Sequence, residues 1–233
     1  MFFTIEQGNC PLIITVPHDG EIKIAGAATR AETQRWERET GFDGRDYGTL
    51  EIARACNRTL ARHDCTATLL IETLHRAHVD VNRHPICDPY VQMFGDEYRS
   101  FHATLQMHIA QTVAQHGTCL LVDLHGYEFS PGPDSYDMVF GSDSHRTCPH
   151  GSDRRIAEFL KEYQVVFSPD RVRNVDSRYR GGWIVRSVAR QWSSQRVDAV
   201  QIEINTHLRQ SAQREEVAYD LAQALHFTLQ VLG

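Results

Sequence analysis

The period of the apolar positions changes several times along the chain, and each change marks an element. Residues 12–16 form a short β-branched run closed by Pro17, which predicts a strand. Over residues 49–63, Leu50, Ala53 and Leu60 recur at helical spacing, residues 66–71 return to strand character, and residues 78–81 form a further β-like segment. The clearest helix is predicted over 94–116, where Tyr98, Phe101, Leu105, Ile109 and Val113 follow in steps of three and four. Residues 119–124 are almost continuously apolar, as expected of a central strand covered on both faces. A helix over 152–163 aligns Ile156, Phe159, Leu160 and Tyr163, with Ser152 as its N-cap. Residues 199–204 resume strand character, and 210–232 repeat the helical spacing through Val217, Leu221, Leu225 and Leu229. Strands alternating with helices predict an α/β fold, a mostly parallel or mixed central sheet flanked by helices, with ligand sites beyond the carboxyl ends of the strands. No repeat or linker interrupts the pattern, so residues 1–233 are read as a single domain.

Composition narrows the function classes. With 41% hydrophobic and 23% charged residues, the 233-residue chain can bury a sizeable core. A net charge of -6 with dispersed arginines argues against a nucleic-acid surface. There is no apolar run of the roughly 18 residues a membrane helix needs. Because the start also lacks the features of a signal peptide, the expectation is a cytoplasmic protein with no membrane partner. The six cysteines form no Cys-x-x-Cys pair and are read as free thiols of a reducing compartment. The 13 histidines direct attention to a metal or proton-transfer site.

Strand ends supply the candidates. His18, in Pro17-His18-Asp19-Gly20-Glu21, and His125, in Val122-Asp123-Leu124-His125-Gly126, both leave a strand beside a glycine, and Asp123 is placed to orient a ligand from behind. Two imidazoles and one carboxylate form a recurrent ligand set of catalytic zinc. Two residues compete for the carboxylate: Glu21, through the spacing His18-x-x-Glu21, and Asp46, read as opening the helix after Phe42-Asp43-Gly44-Arg45. In Val79-Asp80-Val81-Asn82-Arg83 the amide and guanidinium suit an anionic substrate group, since arginine binds carboxylates bidentately; a surface salt bridge is the bland alternative. Glu203, in Gln201-Ile202-Glu203-Ile204-Asn205, alternates with apolar neighbours, as in a strand buried on one face only. If burial raises its pKa, it can work as general base and acid.

Taken in order, Pro17-His18-Asp19-Gly20, Asp46-Tyr47-Gly48, Asp80-Val81-Asn82-Arg83, Asp123-Leu124-His125-Gly126, Gly181-Gly182-Trp183-Ile184 and Gln201-Ile202-Glu203-Ile204-Asn205 resemble the N-formylglutamate amidohydrolase family. The resemblance spans most of the chain. It implies a fold similar to zinc carboxypeptidases and aspartoacylase, and one zinc ion per chain. It also implies hydrolysis of an N-formyl or N-acyl amino acid, N-formylglutamate first, a small acidic substrate. Carried over, His18 and His125 become metal ligands, Asn82-Arg83 resembles the pair that holds a substrate carboxylate, and Glu203 falls at the catalytic glutamate. For the third ligand the family keeps an aspartate resembling Asp46, while the wider superfamily's His-x-x-Glu spacing is met by Glu21. Arg186, four residues after Gly182, is a candidate for a second carboxylate. The chain departs from the family between Glu21 and Gly41, where a proline is missing. A carboxypeptidase-like or other N-acyl amino acid amidohydrolase shares these ligands, and a non-catalytic metal or small-ligand-binding protein is the alternative from a different class.

Overall fold

In a computed structural model of the chain, residues 1–41, 43–87, 89–128, 136–169, 179–210 and 212–232 are described. The strands among them are β1 (Phe3–Glu6), β2 (Leu12–Val16), β3 (Thr68–Glu72), β4 (Cys119–Tyr127), β5 (Met138–Gly141), β6 (Val165–Ser168) and β7 (Val197–Asn205). They form one sheet in the order β1-β3-β2-β4-β7-β5-β6. β3, β2, β4 and β7 run parallel, β1 and β5 pair antiparallel with β3 and β7, and β6 runs parallel to β5. The sheet is therefore mixed, with a parallel centre.

Helices cover both faces, which is why the central strands read as nearly unbroken apolar runs. On one face, α2 (Thr49–Leu60), α4 (Ser152–Phe159) and α7 (Arg214–Leu232), which follows the short α6 (Thr206–Arg209) in the chain, pack on Ile14, Val16, Val122, Leu124, Ile202 and Ile204. On the other, α3 (Gly95–His116) and α5 (Trp183–Gln191) pack on Ile13, Leu121 and Ala199, and α1 (Ala31–Thr40) precedes α2 in the chain. Side chains of one strand alternate between faces, so this second face continues as Thr15, Asp123, His125, Gln201 and Glu203. It is apolar toward the strand starts and polar toward the strand ends, and the polar half is where a site can form.

The predicted helix at 94–116 is α3, with Tyr98, Phe101, Leu105 and Ile109 buried; it ends at Gly117, whose φ of 75° suits glycine. Several expectations need correction. Residues 78–81 make a single bridge between Val79 and Tyr90 instead of a strand. The carboxylate of Asp80 accepts the Asn82 N–H at 3.0 Å and its carbonyl accepts the Arg83 N–H at 3.2 Å, which turns the chain. Ser152 is the first residue of α4 rather than its cap. Its N–H and hydroxyl both donate to Asp198 on β7, at 3.0 and 2.6 Å, so a carboxylate from the sheet performs the capping. β7 is buried on both faces and lies between β4 and β5, so its alternation does not mark solvent. Cys10 and Cys65 form a disulfide with Cα atoms 5.4 Å apart; cysteine usage thus does not argue for a reducing compartment, and Cys56, Cys87, Cys119 and Cys148 alone are free thiols. Among the described residues no helix is long and apolar enough to cross a membrane.

Candidate metal centre and active site

His18 leaves β2 and His125 lies in the last third of the neighbouring parallel strand, so the sheet itself brings together residues far apart in sequence. Their ring centroids are 4.6 Å apart. Asp46 reaches the same point from the loop before α2, where its N–H donates to the carbonyl of His18 at 3.0 Å and its own carbonyl accepts the Thr49 hydroxyl at 2.9 Å. Asp46 Oδ2 lies 3.0 Å from His125 Nδ1 and 3.4 Å from His18 Nδ1. One ligand atom from each of these three buried residues lies within 4.8 Å of the others.

The opposite ring nitrogens face carboxylates. His18 Nε2 is 2.7 Å from Asp80 Oδ1, and His125 Nε2 is 3.0 Å from Asp123 Oδ2. Asp80 is anchored in turn by Arg76 at 2.6 Å, and Asp123 accepts the Thr15 hydroxyl at 2.6 Å. An imidazole whose Nε2–H is taken by a carboxylate presents Nδ1 as a lone pair, the arrangement that stands behind metal-ligating histidines. His18 Nδ1 is buried and makes no hydrogen bond. Two ring nitrogens and one carboxylate oxygen, convergent and buried with a donor atom left over, fit a divalent cation.

Electrostatics reinforce the grouping. Burial pushes the Asp80 carboxyl up, but the Arg76 charge, with His18 and Arg83, outweighs it and holds the group well below the usual carboxylate range. For Asp46, burial is likewise overcome by the His125 and His18 side chains that face it, which hold its carboxyl well below the usual carboxylate range. Glu203 differs. On β7 it pairs in register with His125; burial, reinforced by the charge of Asp46, pushes its carboxyl up to about 7, against the His125 charge and an amide hydrogen bond from Gln201. Its pKa is matched to proton transfer near neutral pH.

His18, Asp46, His125 and Glu203 line a cavity of about 840 Å³ that also takes in Trp36, Arg76, Asn82, Arg83, Tyr179 and Gln201. Arg83 stands at its side with 35% of its side chain exposed, 3.6 Å from Glu32 and 3.8 Å from Asp80. The Asn82 amide oxygen accepts the Ile184 N–H at 2.9 Å, and its NH2 lies 2.9 Å from His125 Nε2. Two candidates are placed elsewhere. Glu21 has 79% of its side chain exposed and lies 3.7 Å from Arg45, because the chain after Gly20 pairs with residues 73–75 and turns Glu21 outward. Arg186 folds back on its own helix, its Nε–H donating to the Gly182 carbonyl at 3.2 Å, and it is not among the residues lining the cavity. Gln201, Trp36 and Arg76 are among the cavity residues that no sequence signal marks. In the sequence Gln201 stands out only as a neighbour of Glu203, while Trp36 and Arg76, whose guanidinium lies 5.2 Å from the Trp36 ring centroid, sit in stretches with no motif to mark them.

The model of the N-formylglutamate amidohydrolase family matches residues 91–209, just over half of the chain; the match contains His125, Gly182 and Glu203, and the fold adds His18, Asp46 and Asn82 from outside it. A comparison with curated proteins finds no match. Among solved structures, the N-formylglutamate amidohydrolase of Ralstonia eutropha JMP134 aligns with a TM-score of 0.72 at 20% identity, covering 99% of this chain and 96% of that one. A gene product of Agrobacterium tumefaciens aligns with a TM-score of 0.65 at 14% identity, over 99% and 94% of the two chains. At these identities the likeness is one of fold. The family match carries the assignment: this chain belongs to the N-formylglutamate amidohydrolase family.

Proposed function

We propose that the chain is a zinc-dependent amidohydrolase that cleaves the amide of an N-formyl or N-acyl derivative of an acidic amino acid, N-formylglutamate being the foremost candidate. The observation that supports this reading best is the placement of Glu203, with its raised pKa, beside the convergent His18, Asp46 and His125 in one cavity with Arg83. A divalent ion held by the three residues would supply Lewis acidity to the amide carbonyl, and their nitrogen and oxygen donors are those of catalytic zinc sites.

The chain's own residues supply the rest. Arg83, with its fork toward the cavity, pairs with a substrate carboxylate in place of its longer contacts to Glu32 and Asp80. Asn82 contributes an amide beside it, and Arg76 adds positive charge to a cavity that the net charge of -6 would otherwise leave unattractive to anions. Glu203 accepts the proton of the attacking water at a carboxylate oxygen and delivers it to the departing amine nitrogen. Glu203→Gln keeps the shape of the group and removes its basicity. The variant should retain bound metal and lose about 10²- to 10⁴-fold in kcat on N-formylglutamate. Near-normal turnover would remove Glu203 from the reaction, and failure of the metal-loaded protein to act on any N-formyl or N-acetyl amino acid in a substrate panel would sink the reading as a whole.

A further inference from the structure

We infer that Gln201 is a positioning residue that fixes the carboxylate of Glu203, and that its own orientation is set by the start of α5. The inference rests on the assignment of Glu203 as the proton-transferring group.

Gln201 and Glu203 are two residues apart on β7, so both project from the same face of the sheet into the cavity. Gln201 is buried, at 4% exposure, and both ends of its amide are engaged. Its Oε1 accepts the backbone N–H of Gly182, the residue that caps α5, and its Nε2 donates to Glu203 Oε1. A backbone N–H can meet only the oxygen of a side-chain amide, so the helix start dictates which way the amide lies and turns the NH2 toward Glu203. The terminal torsion of a glutamate is broad and its rotamers cost entropy to fix. One oxygen tethered by an amide leaves the other directed, which is what a group transferring a proton between two substrate atoms requires.

The same helix start does this twice. The Ile184 N–H donates to Asn82 Oδ1, which fixes the Asn82 amide beside His125, as the Gly182 N–H fixes that of Gln201 beside Glu203. Gly182 can sit between the two amides because it has no side chain: a Cβ there would lie 2.2 Å from the Asn82 amide. The first turn of α5 therefore sets the walls on either side of the cavity in mutual register through two side-chain amides.

The test is a double-mutant cycle. Gln201→Met keeps the volume and removes both hydrogen bonds. It should lower kcat about 10- to 100-fold, the scale of a small misplacement, with KM, metal content and thermal midpoint within about twofold or a few degrees of the parent. In a Glu203→Gln background the same change should cause no further loss, because the group it positions no longer acts. A kcat within about twofold of wild type, or a loss that multiplies in full onto that of Glu203→Gln, overturns the inference. Should the variant fold poorly, a high-resolution crystal structure of the wild-type protein decides. A single Glu203 conformer bonded to Gln201 Nε2 is expected, and a carboxylate turned away from Gln201 overturns the inference. If Glu203→Gln alone leaves activity intact, the role of Glu203 fails and the inference falls with it. If it abolishes activity while Gln201→Met does not, only the positioning role fails.

Discussion

Arg83 and Arg186 show what a single residue's surroundings decide. Both are candidates for binding carboxylate, Arg83 as the last residue of Asp80-Val81-Asn82-Arg83 and Arg186 four residues after Gly182. The cavity separates them: Arg83 lines it, whereas Arg186 spends its Nε–H on the carbonyl of Gly182. Accordingly Arg83→Ala should raise KM for an acidic N-acyl amino acid by at least about tenfold, the worth of one charge-assisted hydrogen bond. Arg186→Ala should leave KM within about twofold in the same steady-state assay. Equal effects of the two changes would return Arg83 to the salt-bridge reading. The choice between Glu21 and Asp46 was illegible for a related reason. His-x-x-Glu spacing permits a shared ion, but it does not reveal that the chain after Gly20 hydrogen bonds to residues 73–75 and carries Glu21 into solvent.

Elements with one long period were legible from sequence, and those defined by side-chain hydrogen bonds were not. α3 follows from a stripe of Tyr98, Phe101, Leu105 and Ile109, while residues 78–81 have β-like composition yet turn, because the Asp80 carboxylate takes the N–H of Asn82. In β7 the alternation of Gln201, Glu203 and Asn205 with Ile202 and Ile204 was legible, but its meaning was not. Gln201 and Glu203 face the cavity and Asn205 donates to the Tyr136 carbonyl at 2.9 Å, so none of the three marks a solvent face, a distinction a period of two cannot make. The other end of β7 carries a testable device. Asp198 accepts the N–H groups of His150 and Ser152, at 3.1 and 3.0 Å, and the Ser152 hydroxyl, so one carboxylate from the sheet holds the start of α4. Asp198→Ala should cost at least about 2 kcal/mol in chemical denaturation, since it removes a cap and leaves buried donors unpaired. A loss under about 0.5 kcal/mol would mean that α4 is held by packing alone.

At the scale of the whole molecule, stability and site respond to different groups. Glu72, at the end of β3, is fully buried and one of its oxygens has no hydrogen-bond partner. Burial, with the nearby charge of Glu97, pushes its carboxyl from the ordinary 4.5 up to about 8. A raised folded-state pKa means that the folded protein holds this proton more tightly than the unfolded chain. The group's contribution to stability is therefore full below about 4.5 and declines as pH rises toward about 8. Glu72→Gln should flatten this decline in a series of denaturation curves between those limits; an unchanged slope would show that another group sets it. The site, by contrast, depends on the sheet order. Parallel β2 and β4 lie side by side, so His18 and His125 meet although more than a hundred residues separate them, and the loop before α2 delivers Asp46 between them. The strand-end rule pointed to both histidines in the sequence; only the folded chain shows which carboxylate joins them. The most direct test is the metal-to-protein ratio after loading with zinc and removal of excess, measured on the wild type and on His18→Ala, Asp46→Ala, His125→Ala and Glu21→Ala. The expected result is one equivalent in the wild type and in Glu21→Ala, with loss in the other three folded variants. Full retention in Asp46→Ala and His125→Ala, or loss confined to Glu21→Ala, would contradict the account.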